Sequence, residues 1–221
     1  MRGPLHSAAM ARVLILFAHP ALERSRVNRR LFDAVRALPG VTAHDLYEVY
    51  PTLSIDVHRE QALCAEHDVL LFQHPFYWYS APAIVKEWQD LVLELGWAYG
   101  PGGTALSGKT ALHAISTGGA AGAYRPEGKN RFTMRQLLAP FDQSAHLCRM
   151  RFLAPFVVHG ALSLAGEAAL APHVERYRRL VEALRDERLD LERAAAAEEI
   201  SEVLDAASTQ ERAAKEGAVP A

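Results

Sequence analysis

Three short segments of the chain combine groups that could together hold a planar, phosphorylated ligand. The first runs from His19 to Asn28 and includes Ser25, Arg26 and Val27. Its second half opens a predicted helix, whose free N–H groups and positive dipole end favour a phosphate. Ser25 and Asn28 can add side-chain hydrogen bonds, although such residues can equally serve only as the helix cap.

The second segment carries four consecutive aromatic side chains, Phe76, Tyr77, Trp78 and Tyr79. Large aromatic side chains often belong to a protein core, so the cluster alone does not define a site. It follows the end of a predicted strand, however, and does not lie along one face of a helix. That position favours a loop against which a flat ring system stacks.

The third segment is Thr117-Gly118-Gly119-Ala120. Glycine lets backbone N–H groups approach a ligand closely. Such amides could hydrogen-bond the pyrimidine oxygens of a flavin and stabilise the charge that builds up on reduction. A Gly-Gly pair is common in turns, so the prediction depends on all three segments lying together.

Five apolar segments alternate with segments of helical periodicity, which predicts an α/β three-layer sandwich. The predicted strands cover residues 12–18, 41–46, 68–74, 110–116 and 152–159. The predicted helices cover residues 27–38, 57–67, about 82–95, 132–138 and 170–184.

This alternation predicts a parallel five-stranded sheet of order 2-1-3-4-5 with helices on both faces. Ligands of such sheets bind beyond the carboxyl ends of the strands, where the strand order reverses. The three segments follow predicted strands one, three and four. We therefore expect them to converge there.

The ends of the chain differ in character from this central domain, residues 12–188. Residues 1–11 are expected to be an N-terminal extension, and they lack the apolar region of a signal peptide. The Ala/Glu-rich residues 189–221 lack a strong apolar stripe and are expected to form a frayed helix or a disordered tail. No stretch approaches the roughly 18 apolar residues of a transmembrane helix, so any membrane role is expected to be peripheral.

Composition excludes some classes of protein. The chain has 24 basic and 26 acidic residues among 221, a formal net charge of −2, without the basic excess of a nucleic-acid-binding protein. Cys64 and Cys148 are too few for a disulfide framework and are predicted to be buried, inert thiols of a protein in the reducing cytoplasm.

Two further patterns resemble functional sites but do not predict them. Gly103 to Thr110 matches the P-loop of nucleotide triphosphatases, but that motif needs a strand before it and a helix starting at Lys109. Here a predicted strand follows Lys109. The histidines show no zinc-like spacing, so no metal site is predicted. His113 and His159 are expected to be core residues of strands.

Together the segments resemble the flavodoxin-like NAD(P)H dehydrogenase (quinone) family over about residues 12–185. Within it, the chain most resembles the ancillary proteins of glutathione-regulated potassium-efflux systems. The likeness rests on five stretches in register: Ala18-His19-Pro20 with Ser25 and Asn28; Asp45-Leu46-Tyr47 with Tyr50-Pro51; Gln73 to Ser80; Gly96 to Gly100 leading into Gly103 to Leu106; and Thr117 to Gly119.

The resemblance implies a flavodoxin-like fold that binds FMN through His19, residues 25–28, 76–79 and 117–120. FAD is disfavoured because no extra module is evident to hold an adenylate. It also implies NAD(P)H as co-substrate, a quinone-like acceptor and ping-pong hydride transfer through the flavin. In larger relatives a Tyr–His pair assists this transfer; Tyr124 stands at the tyrosine position, but residues 129–131 include no histidine.

The resemblance further implies a homodimer, for which the helix of Trp88 and the loop through Trp97 and Tyr99 could supply the surface unless Trp88 is a core residue. A second hypothesis is a regulatory subunit that docks on a potassium–proton antiporter at the inner face of the membrane, and both roles can hold at once. A third, a one-electron carrier flavodoxin, is disfavoured by the net charge, because such carriers are strongly acidic.

Overall fold

The computed structural model describes residues 10–164 and 166–206, and their architecture confirms the predicted α/β sandwich. Its strands are β1 Val13–Phe17, β2 Val41–Asp45, β3 Val69–Pro75, β4 Thr110–Ser116, β5 Arg151–Phe152 and β6 Phe156–Val158. Its helices are α1 Val27–Val35, α2 Leu46–Val49, α3 Val57–Glu66, α4 Ala83–Val92, α5 Met134–Leu137, α6 Ala139–Leu147, α7 Glu167–Arg185 and α8 Leu191–Ala196, followed by helical residues 200–206.

The strands form one parallel sheet of order β2-β1-β3-β4-β5, with β6 also paired to β4. The predicted order is thus confirmed. Phe17 pairs with Gln73 at the end of β1, and Pro75 pairs with Ser116 at the end of β3. These registers bring the carboxyl ends of β1, β3 and β4 to one edge of the sheet.

The sheet is covered on both faces, and its central strands β1, β3 and β4 are buried at every position. All five residues of β1 are buried, and alternate residues point into two separate cores. Leu14 and Leu16 pack with α3 and α4 residues on one side. Val13, Ile15 and Phe17 pack with α1 and α7 residues on the other. This arrangement is the one that parallel sheets require.

The fifth strand position differs from the prediction of one strand over 152–159. It is split into β5 and β6 around Leu153–Pro155. Arg151 and Leu153 donate their N–H groups to the carbonyls of Lys109 and Ala111, so the next donor to the β4 chain would be Pro155, which has no N–H. The interruption therefore follows from Pro155, and the N–H of Ala154, on the other edge of the strand, donates to the carbonyl of Ala194, 2.8 Å away.

The predicted helix 132–138 is shorter in the structure and is followed by a second helix. Thr133 and Gln136 form a reciprocal capping box that starts α5. Pro140 then lies in the first turn of α6, where a missing N–H costs nothing. Sequence reasoning missed α6 because its apolar periodicity is weak.

The C-terminal segment, residues 190–206, is packed and is not the frayed or disordered tail that we expected for this part of the chain. Asp190 caps α8, and Ala194, Ile200 and Leu204 are buried against the core on the α1 and α7 side. A few small or aliphatic side chains are enough to pack this segment onto the core, because α7 already covers that face of the sheet. Residues 1–9 of the N-terminal extension and 207–221 of the tail lie outside the described residues.

None of the described helices is both long and apolar enough to cross a membrane. The two cysteines are free and buried, as predicted. Burial raises the pKa of both Cys64 and Cys148, which keeps these thiols unreactive.

A buried carboxylate ties together the half of the molecule formed by β2, α3 and α4. Glu60 accepts hydrogen bonds from His44 Nε2 at 2.8 Å, the Tyr50 hydroxyl at 2.6 Å and Trp88 Nε1 at 2.8 Å. Trp88 is fully buried, so it is a core residue and is not available for a dimer surface. Burial raises the pKa of Glu60, but these hydrogen bonds outweigh it and hold the pKa below its ordinary value.

We expect Glu60→Gln to lower the free energy of unfolding by about 3 kcal/mol, because an amide cannot accept from all three buried donors. Since the native pKa is lowered, the carboxylate stabilises the wild-type fold above the ordinary carboxyl pKa and loses that effect as the pH falls through the native value. Urea denaturation between neutral and acid pH should show a flatter profile for the variant.

Glu66→Gln is the matched control, because Glu66 lies on the same helix in an exposed pair with Arg12. It should change the unfolding free energy by less than about 1 kcal/mol. Equal effects of the two substitutions would contradict a special role for the Glu60 network.

Candidate functional site

The three predicted segments converge around one cavity of about 560 Å³ at the carboxyl ends of β1, β3 and β4. The cavity is lined by residues of all three segments and by two residues that follow β6: His19, Ala21, Arg24, Ser25, Arg26, Val27, Asn28, Pro75, Phe76, Tyr77, Ser116, Thr117, Gly118, Ala161 and Leu162. This is the edge at which the strand order reverses, so the position matches the expectation for a parallel sheet.

The first segment presents the N-terminus of α1 to this cavity. The helix starts after Arg26, which makes no side-chain cap, and Ser25 Oγ accepts only the distant N–H of Arg29, at 3.3 Å. The Arg26 guanidinium reaches the carbonyl of Leu162 at 3.5 Å. A helix N-terminus with a hydroxyl and a guanidinium beside it is suited to an anion.

Asn28 lies at the floor of the cavity and is 2% exposed. Its side-chain Nδ2 is 2.7 Å from Ser116 Oγ, and its backbone carbonyl accepts a hydrogen bond from Gln73 Nε2 at 2.8 Å. Among the described residues, Asn28 Oδ1 is the one buried side-chain oxygen or nitrogen without a hydrogen-bond partner. Buried polar atoms are almost always paired, so this oxygen indicates that a ligand group completes the site.

The aromatic segment forms a tight turn in which Ser80 N donates to the carbonyl of Tyr77 at 3.0 Å. The two central residues, Trp78 and Tyr79, both have positive φ, 52° and 62°. That conformation is costly for residues other than glycine, and such strain gathers at functional sites. The turn leaves Trp78 92% exposed while Phe76 stays buried.

Side chains pack closely over the two glycines of the glycine segment. A Cβ on Gly119 would lie 3.2 Å from the Tyr124 ring and hydroxyl, and a Cβ on Gly118 would lie 3.3 Å from Leu162. The segment is also bonded to the chain around β6: Thr117 N donates to Val158, Ala161 N to Thr117, and Gly160 N to Gly119. Its backbone is therefore held by hydrogen bonds to the end of β6 and to the residues that follow it.

A second cavity of about 320 Å³ adjoins the first across Phe76. It is lined by Phe76, Trp78, Tyr79, Gly119, Ala123, Tyr124, Lys129 and Asn130. The Tyr79 hydroxyl donates to Asn130 Oδ1 at 3.3 Å. The two cavities together have one polar end, at α1, and one largely aromatic end, at Trp78 and Tyr124.

His19 lies at the mouth of the larger cavity. Burial lowers the pKa of its imidazole, which favours the neutral ring. The N–H of Ala21 donates to its Nδ1 at 3.2 Å, so the ring proton is on Nε2. His19 therefore presents a neutral donor to a ligand.

The structure adds residues that were not among the predicted site residues. Ser116 and Leu162 line the larger cavity, and His159 lies beside Tyr124, with ring centroids 5.4 Å apart. The expectation that His159 is a core residue of a strand is thus wrong, since it follows the end of β6 and is only partly buried. His113 is a core residue as expected, bonded to His74 at 2.8 Å.

The rejected P-loop has a structural explanation. Thr110 begins β4, and Lys109 Nζ donates to the carbonyls of Ala65 and His67 at the end of α3. A side chain on Gly103 would collide with the backbone of Tyr99. The lysine and the glycine of the motif therefore serve packing at the amino ends of the strands, away from the site.

Fold and site together define a flavodoxin-like protein, and sequence comparison shows the same. The chain belongs to the flavodoxin-like fold family, whose sequence model matches residues 11–181. This confirms the resemblance inferred from the motifs.

Named relatives extend the likeness. The glutathione-regulated potassium-efflux system ancillary protein KefG of Pectobacterium carotovorum is 48% identical over 153 residues, which are 69% of this chain and 84% of that protein. The general stress protein 14 of Treponema denticola, solved in complex with FMN, is 40% identical with a TM-score of 0.72, over 80% of this chain and 98% of that one. An NADPH-quinone reductase of P. pentosaceus is 32% identical with a TM-score of 0.70, over 76% of this chain and 96% of that one.

We expect Lys109→Ala to lower the free energy of unfolding by about 1–2 kcal/mol, because it removes a charged donor from the last carbonyls of α3. Thermal or urea unfolding measures this change. Titration calorimetry should detect no ATP binding by either protein, and ATP binding that the substitution abolishes would restore the P-loop interpretation. Lys86→Ala, in an exposed pair with Asp90, is the control and should alter stability by less than about 1 kcal/mol.

Proposed function

We propose that this chain is an FMN-dependent NAD(P)H:quinone oxidoreductase. The observation that carries the proposal is the joined pair of cavities at the strand ends, one with an anion-binding end and an unpaired Asn28 oxygen, the other with aromatic walls. That shape and polarity suit a phosphorylated, tricyclic cofactor with a flat substrate against it. The FMN complex and the quinone reductase among the similar structures support the same conclusion.

The residues present fit FMN. Ser25, Arg26, Val27 and the free N–H groups of α1 would hold the phosphate, and Asn28 would hydrogen-bond the ribityl chain next to it. A hydroxyl is the donor that the unpaired Asn28 Oδ1 needs. If the amide is turned over, Ser116 Oγ still serves as its partner and the N–H faces the ligand.

The other two segments would enclose the ring system. Backbone amides of residues 118–120 would meet the pyrimidine edge, where the two close-packed glycines allow the approach, while the Thr117 N–H stays hydrogen-bonded to Val158. Residues 76–79 would form a wall beside the ring, with His19 donating from Nε2 at the cavity mouth. FMN is favoured over FAD because the described cavities offer no separate module for an adenylate.

Bound FMN supplies the hydride chemistry, accepting from NAD(P)H and donating to the acceptor. The chain's own residues position the substrates. Trp78 and Tyr79 bound the smaller cavity, and in a ping-pong cycle donor and acceptor would use it in turn. Tyr124 presents its hydroxyl there and can donate a hydrogen bond to a quinone oxygen, which makes it the proposed catalytic residue.

A second role is an ancillary subunit of a potassium-efflux antiporter, bound at the inner face of the membrane. The 48% identity to KefG favours it. The two roles are compatible, because the flavin site occupies one edge of the sheet and leaves most of the surface free for a partner. We also propose a homodimer, with the loop through Trp97 and Tyr99 in the subunit interface and Trp88 excluded from it.

Purified protein should bind FMN, show a flavin absorption spectrum, and release a cofactor whose mass identifies FMN. Steady-state rates with NAD(P)H and a quinone should give the parallel double-reciprocal lines of a ping-pong mechanism. Protein that is colourless and fails to bind added FMN would refute the proposed function.

Ser25→Asp should separate phosphate binding from folding. A carboxylate at the N-terminus of α1 repels a phosphate, so FMN affinity should fall at least roughly tenfold. The same charge interacts favourably with the helix dipole, so the unfolding free energy should stay equal or rise slightly. Quenching of FMN fluorescence and thermal unfolding measure the two effects.

Ser25→Asn is the matched control, since it keeps a polar acceptor at this position without the charge. It should bind FMN within a fewfold of the wild type. If Ser25→Asp also binds FMN normally, the phosphate does not lie at α1.

The ancillary role predicts that cells carrying the matching antiporter lose potassium efflux when this protein is deleted. Re-expression of the wild type should restore efflux, measured as loss of cell potassium after thiol stress. The Ser25→Asp protein should restore it as well if docking alone activates the antiporter. Efflux that is unchanged by deletion would rule the role out.

A further inference from the structure

The C-terminal segment reaches the site through one side chain. Glu199 Oε1 accepts a hydrogen bond from His159 Nε2 at 2.7 Å. The other ring nitrogen, His159 Nδ1, faces Thr117 Oγ1 at 3.4 Å. A carboxylate from outside the segments that define the site is thus connected to the glycine segment through one imidazole ring.

Glu199 is held firmly in this position by backbone bonds on both sides. Ala194 O accepts from Ala154 N at 2.8 Å, and Ile200 N donates to Pro155 O at 3.0 Å. The Arg135 guanidinium donates to the carbonyl of Ala197 at 2.7 Å. Hydrogen bonds therefore attach the C-terminal segment to the residues just before β6. They fix the backbone position of Glu199, from which its side chain reaches His159.

His159 in turn contacts both parts of the wall near Gly119. Its ring lies 5.4 Å from that of Tyr124, tilted by 42°. Thr117 Oγ1, which lies beside His159 Nδ1, donates a hydrogen bond to the backbone carbonyl of Gly119 at 2.8 Å. Both ring nitrogens are directed to Glu199 and Thr117, so His159 supports Tyr124 by ring packing and does not hydrogen-bond its hydroxyl.

We propose that Glu199 and His159 are positioning residues, which set the place of the Thr117–Gly119 backbone and of the Tyr124 ring in the reductase site. The inference rests on the proposed function and deepens it. Amides that face the pyrimidine edge of a flavin stabilise the negative charge of its reduced form. A loosened loop therefore weakens the binding of reduced flavin more than that of oxidised flavin, and a shifted Tyr124 raises the KM for the acceptor.

The central experiment compares the full-length wild type with Glu199→Ala. We expect a roughly tenfold loss of affinity for reduced relative to oxidised FMN, which lowers the two-electron midpoint potential by about 30 mV. The acceptor KM should rise several-fold while the KM for NAD(P)H changes less. Stability should change little, because the His159–Glu199 pair is partly exposed.

Two variants show whether the effect comes from positioning. Glu199→Gln keeps an acceptor for His159 Nε2 and should restore most of the midpoint potential and KM. His159→Phe keeps a ring against Tyr124 but loses the hydrogen bond to Glu199 and the polar contact with Thr117, so it should lower the potential as Glu199→Ala does. It also supplies the test if Glu199→Ala does not fold. Glu198→Ala, at the exposed neighbouring residue, is the control and should resemble the wild type.

The outcomes distinguish the two proposals. Wild type that binds no FMN overturns the proposed function and this inference with it. If wild type binds FMN and turns over, but Glu199→Ala and His159→Phe match Glu198→Ala in midpoint potential and acceptor KM, this inference alone is wrong.

Discussion

A short series of buried hydrogen bonds ties together the four elements that form the floor of the site. The Tyr177 hydroxyl of α7 donates to Gln73 Oε1 of β3, Gln73 Nε2 donates to the carbonyl of Asn28 in α1, and Asn28 Nδ2 meets Ser116 Oγ at the end of β4. Each partner is buried, so a slip in register would leave polar atoms unpaired at a cost of about 1–3 kcal/mol each. The position of the helix N-terminus relative to the strand ends follows from this constraint.

The two buried polar networks of the molecule differ in whether every member is paired. Around Glu60, three donors meet one carboxylate, and the group is closed on all sides. The series through Gln73 ends at Asn28, a residue that lines the larger cavity and has one unpaired side-chain oxygen. A closed network rigidifies a fold, whereas an open one is completed by a ligand. Buried polar groups are thus fully paired around Glu60 and incompletely paired at Asn28, beside the cavity for which we propose FMN binding.

The sequence was sufficient to predict the sheet order and the three convergent segments, because both depend on local features. Apolar runs mark buried strands, and in a parallel sheet whatever follows a strand lies at the same edge. The contacts that were missed join distant positions. His159 lies beside Tyr124, and Glu199 beside His159, about 35 and 40 residues apart in the chain. No local pattern distinguishes these two residues from an ordinary strand histidine and a surface glutamate.

The difference between local features and contacts of distant residues also explains why α6, the break at Pro155 and the packing of residues 190–206 were not predicted. The hydrogen bond from the Ala154 N–H to the carbonyl of Ala194 joins positions about 40 residues apart, so no local pattern in the sequence indicates it.

The floor and the walls of the site therefore have different physical origins. The floor depends on core register, which cannot change without unfolding the sheet. The walls consist of a strained turn at Trp78 and Tyr79 and a glycine loop held by His159 and the C-terminal segment. Loops and terminal segments can change in sequence while the core keeps its register. Cofactor binding should consequently be the more constant property of such a site, and the choice of acceptor the more variable one.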